Sequence, residues 1–84
     1  MHDLHLANKI LNLVLEKARK NNLKKISGIK IELGEIIEHG QQITPENLRF
    51  NFKMLAKGSI AEGTEIEINS TKKESFVLRE IIGE

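Results

Sequence analysis

Apolar positions along the chain follow two different periods. Over residues 4–18 they recur at helical spacing: Ala7, Ile10, Leu11, Val14 and Ala18 form one stripe, which Leu6 and Leu13 widen. Asp3 suits the N-cap, Lys17, Arg19 and Lys20 suit the carboxyl end of the helix dipole, and Asn21-Asn22 makes a fitting stop. The period then drops to two. Ile29, Ile31 and Leu33 alternate with Lys30 and Glu32, which predicts a half-buried strand ending at Gly34. Residues 35–43 show neither period and read as a loop. A second helix follows, with Thr44 as N-cap, Pro45 at the first helical position, Glu46 in the first turn and Gly58 just past the end. Its buried stripe is Leu48, Phe52, Leu55 and Ala56. Ile66 and Ile68, set between Glu65, Glu67 and Asn69, predict a second strand, and residues 70–75 a polar turn. Residues 76–82 predict a third strand, whose alternation slips near Glu80-Ile81-Ile82 and implies a bulge there.

The order helix, strand, helix, strand, strand points to an α+β domain. Each element has one apolar face, so the economical packing lays two helices on one face of a three-stranded, mostly antiparallel sheet. The last two strands are expected to form a hairpin through Lys72-Lys73. The exposed sheet edges suit pairing with a second copy, as a homodimer or by strand exchange. Residues 1–84 read as one domain, close to the size at which a core only just outweighs conformational entropy.

Composition narrows the function. Thirteen Lys and Arg against twelve Asp and Glu leave a net charge of +1, too even for a polyanion-binding field. Three Phe, no Tyr and no Trp offer few rings for stacking bases, so nucleic acid is a poor partner and an RNA-binding sheet ranks last. The absence of cysteine removes disulfides, thiolate nucleophiles and cysteine zinc sites. No apolar run approaches the roughly 18 residues of a membrane span, and Met1-His2-Asp3-Leu4-His5 does not open like a signal peptide; a cytoplasmic location is expected. None of the four serines lies in a nucleophile elbow and no glycine loop cradles phosphate, so an enzyme is not expected.

The chemistry left is histidine. His2 is too bulky for removal of the initiator methionine, so Met1 is expected to stay and to present its α-amino group. That amine and the His2 amide nitrogen close a five-membered chelate ring; the same amide and the imidazole Nδ1 close a six-membered one. Three nitrogens in a plane suit nickel(II) or copper(II) better than tetrahedral zinc. The first amides of a helix have no intrahelical acceptor, so ligating one of them breaks nothing. The positive end of the helix dipole opposes a cation, and Asp3 is placed to offset it or to supply a fourth ligand. His5 lies one turn along the same face, as an outer neighbour, and His39 sits in the loop. On spacing alone, the plainer reading of His2 is a solvated chain end and of Asp3 a helix cap.

Longer motifs in order along the chain carry a resemblance. Met1-His2-Asp3-Leu4 precedes the first helix, Ile31-Glu32-Leu33-Gly34-Glu35 closes the first strand, and Thr44-Pro45-Glu46-Asn47-Leu48-Arg49-Phe50-Asn51-Phe52 opens the second helix. Lys57-Gly58-Ser59-Ile60-Ala61-Glu62-Gly63-Thr64 precedes the next strand, and Leu78-Arg79-Glu80-Ile81 lies near the end. Together they resemble the HypA family of hydrogenase nickel-incorporation proteins. The resemblance implies two helices on a three-stranded sheet, a nickel(II) site at Met1, His2 and Asp3, and work with a HypB-like GTPase to deliver nickel to the hydrogenase large subunit or to urease. The chain departs from that family in three ways. Position 3 is Asp rather than Glu, the segment at residues 35–43 is longer, and the zinc domain inserted between the last two strands is missing. These departures motivate an alternative, a metal-free protein-interaction or assembly domain that keeps the fold without nickel delivery.

Overall fold

The computed structural model describes residues 3–38 and 41–84. Its elements are α1 (Asp3–Lys20), β1 (Ile26–Leu33), β2 (Ile37–Glu38), β3 (Gln41–Gln42), α2 (Pro45–Leu55), β4 (Glu65–Ser70) and β5 (Phe76–Gly83). The apolar stripe of α1 is the face it buries: Leu6, Ala7, Ile10, Leu11, Val14 and Ala18 all enter the core. Leu13 stays half-exposed, and Leu15 packs against the core in its place. Asp3 is the first helical residue rather than the cap before it.

The carboxyl end of α1 is closed by backbone hydrogen bonds. Asn22 takes the left-handed conformation (φ 58°), Leu23 N–H donates to Ala18 O at 2.9 Å, and Asn22 N–H donates to Arg19 O at 3.2 Å. This is a Schellman stop with asparagine where glycine is commoner. Helix α2 starts as its sequence predicts. Thr44 is the N-cap and its side chain accepts from Asn47 N–H at 3.2 Å; Leu48, Phe52 and Ala56 are buried.

The three-stranded sheet has the order β4-β1-β5. Strand β1 pairs with β4 in parallel and with β5 antiparallel, so the sheet is mixed. Here the expected hairpin is corrected: β4 and β5 do not pair but flank β1 on opposite sides. The polar residues 71–75 span two strand spacings, about 10 Å, across the end of β1. They are tied there by Thr71 N–H to Leu33 O at 2.9 Å, Gly34 N–H to Ser75 O at 2.9 Å and Glu35 N–H to Lys73 O at 2.7 Å. A second correction concerns residues 35–43, where β2 and β3 form a small antiparallel ladder of their own instead of an unpaired loop.

Strand β1 takes the centre, and it is the strand whose inward side chains are all fully buried. Ile29, Ile31 and Leu33 are 1–2% exposed, with Ile66 and Ile68 beside them on β4 and Phe76, Leu78 and Ile81 on β5. The expected bulge exists, one residue earlier than the slip in alternation suggests. Lys30 pairs with Glu80 and Ile31 with Leu78, so Arg79 is the extra residue. The face away from the helices is polar and laced by ion pairs, Lys30 to Glu80 at 3.3 Å and Arg79 to Glu32 at 2.9 Å.

Candidate metal centre

Helix α1 begins directly after the expected amino-terminal donors Met1 and His2. That helix is 18 residues long, about 27 Å, and β1 is 8 residues, about 26 Å. Residues 21–25 join them, and the last turn of α1 lies against the Ile81 and Gly83 end of β5. The opening turn of α1 is therefore carried to the opposite end of the sheet, where β1 finishes and residues 71–75 cross it. Leu6 and Ala7, buried one turn in, fix the start of the helix on the core. His5 is exposed there.

Of the residues expected to hold metal, Met1 and His2 lie outside the described residues, and of Asp3 the structure describes only its place as the first residue of α1. His39 also lies outside them. Among the described residues, no three His, Asp or Glu side chains converge in a metal-holding group. A chelate of the predicted kind needs no such cluster, since two of its three donors are backbone nitrogens of one dipeptide. The described part of the chain therefore contributes the helix that begins at residue 3, with its opening turn at one end of the sheet.

The titration behaviour of the described residues is concentrated elsewhere. Arg79 donates a hydrogen bond to Glu32 and faces it as a positive charge, and this holds the Glu32 carboxyl below its ordinary range. Arg79 in turn is raised by the same bond. This pair is absent from the sequence reading; the signal for it was the broken alternation around Arg79, which the bulge turns toward the face that carries Glu32. Thr64, the buried polar residue, donates from Oγ1 to Ile26 O at 2.9 Å and is satisfied.

The architecture defines a small α+β domain of two helices with a three-stranded mixed sheet. Comparison with known proteins gives that class its family. The family model described as "Hydrogenase/urease nickel incorporation, metallochaperone, hypA" matches residues 1–76, and the chain belongs to the HypA family. Hydrogenase maturation factor HypA of Archaeoglobus fulgidus is 35% identical over 69 residues, covering 82% of this chain and 59% of the relative. HypA of Pyrococcus horikoshii is 41% identical over 66 residues, 79% of this chain and 45% of the relative. The chain thus spans about half the length of these curated relatives. The solution structure of the Ni metallochaperone HypA from Helicobacter pylori has the same fold, with a TM-score of 0.79 at 14% identity over 99% of this chain and 97% of that one. The family is described as a metallochaperone, an accessory protein rather than an enzyme. Among the described residues no helix is long and apolar enough to cross a membrane.

Proposed function

We propose that this chain is a nickel(II)-binding accessory module that carries the ion as cargo for hydrogenase or urease maturation. The observation that carries the reading is the family match over residues 1–76, which includes Met1, His2 and Asp3. The Met1 amine, the His2 amide nitrogen and the His2 imidazole Nδ1 are the three nitrogen donors, and nickel(II) is favoured by their planar arrangement. Asp3, at the helix start, supplies the fourth donor or the negative charge that offsets the dipole. The family's zinc module is absent between β4 and β5, so residues 1–84 act as one nickel-type domain. The partners of this reading are a HypB-like GTPase and a hydrogenase large subunit, in the cytoplasm. Phe50 and Met54, one helical turn apart on α2 and 67% and 42% exposed, supply apolar surface for protein contact.

Isothermal titration of nickel into a chain with a free amino terminus tests the reading. His2→Ala should abolish stoichiometric binding, and acetylating the amine should do the same, while His5→Ala should change affinity little. Unchanged nickel affinity in His2→Ala would refute the site and favour an interaction domain that keeps the fold without the metal.

A further inference from the structure

The charge of the chain is even only when taken as a whole. Residues 17–25 hold five of its thirteen basic residues, Lys17, Arg19, Lys20, Lys24 and Lys25, and none of its twelve acidic ones. Lys17, Asn21 and Leu23 of this segment form one wall of an open cleft of about 390 Å³, and β5 forms the other. Leu23, Leu78 and Ile81 are its apolar lining, each half-buried against the core. At the liquid volume of water, about 30 Å³ per molecule, such a cleft has room for roughly a dozen heavy atoms. That is the lower end of the range in which small-molecule sites are found.

The lining selects a negative head on an apolar body. Arg79 and Glu80 are committed to the far face of the sheet, where they pair with Glu32 at 2.9 Å and with Lys30 at 3.3 Å. Lys17 pairs with no carboxylate among the described residues, whereas Lys20 holds Glu16 at 3.2 Å. A bare helix carboxyl end would repel an anion. Here the end carbonyls are occupied: Lys17 O accepts from Asn21 N–H at 3.1 Å and from Asn21 Nδ2 at 2.8 Å, and Ala18 O and Arg19 O accept from the Schellman stop. The two walls are tied together at one end, because Lys24 and Lys25 N–H donate to Glu84 O and Glu84 N–H donates to Lys25 O. The bulge at Arg79 breaks the regular ladder in the stretch of β5 that lines the cleft, which disfavours an added strand and favours a compact ligand.

We propose that this cleft binds a small amphipathic carboxylate, its head on the Lys17 ammonium and its hydrocarbon body on Leu23, Leu78 and Ile81. The head gains a charge-assisted hydrogen bond at the mouth, and the body takes three half-exposed apolar side chains out of water. The cleft lies at the end of α1 remote from its opening turn, so the proposal does not depend on the nickel reading.

The test follows the amide resonances of the intact, isotope-labelled chain by NMR, with a metal chelator present so that nickel plays no part. Octanoate should shift Lys17, Asn21, Leu23 and residues 78–83 in a saturable manner at millimolar concentration. Acetate, which lacks the body, and octylammonium, which reverses the charge, should not. Lys17→Glu should weaken octanoate by about tenfold, as the loss of one charge-assisted bond implies. Lys20→Ala, in the same turn but outside the lining, should leave binding unchanged. No saturable shift, equal shifts from octylammonium, or octanoate binding that survives Lys17→Glu would overturn the proposal. So would tighter binding of an acetylated Glu-Leu-Glu-Leu peptide amide than of octanoate, which would make the cleft a dock for a protein segment.

Discussion

Individual residues decide more of this fold than their composition suggests. Glu32 and Arg79 meet because a bulge adds one residue to β5 and turns the guanidinium onto the open face. The folded Glu32 pKa is lowered, so the pair's contribution is present above the unfolded glutamate value, about 4.3, and is lost as pH falls through the lower folded value. Urea midpoints measured at low protein concentration should place Arg79→Gln slightly below wild type near neutrality, with the gap closing in acid; a gap that widened in acid would contradict the pairing. Thr64 marks the same scale inside the core. Its hydroxyl satisfies the Ile26 carbonyl, and Thr64→Val, which leaves that carbonyl without the bond, should cost about 1–3 kcal/mol in denaturant unfolding.

Elements were legible wherever a local pattern was strong. The stripe of α1, the Thr44-Pro45 start of α2 and the alternation of β1 are each specified by residues within a turn or two, and each forms where its pattern lies. Strand order was not legible, because a period of two says which face a residue takes and nothing about which strand lies beside it. A polar run such as residues 71–75 serves equally as a hairpin turn or as a bridge over a central strand. The bridge needs contact that a hairpin does not. A Cβ on Gly34 would overlap the Lys73 and Ser75 carbonyl oxygens, whereas one on Gly28 would rest at an ordinary 3.5 Å from the Ile82 side chain. Gly34→Ala should therefore cost about 1–3 kcal/mol or more, and Gly28→Ala far less, in urea denaturation. The β2–β3 ladder escaped notice because two-residue strands carry no period to read.

For the molecule as a whole, fold and family were readable together, since the segments that carry the resemblance include the Thr44 cap of α2, the end of β1 and the turn before β4. The candidate site was readable for another reason: a chelate built from an amine, an amide and one imidazole is a local feature of two residues and needs no long-range geometry. What the rest of the chain adds is a helix whose opening turn stands at one end of the sheet. The most direct test is the visible absorption of the free-amine chain as nickel(II) is added in the absence of chelator. A weak yellow band that saturates at one equivalent and vanishes on amino-terminal acetylation is the expected result. No band, or the same band from the acetylated chain, would contradict a planar nitrogen site at Met1 and His2.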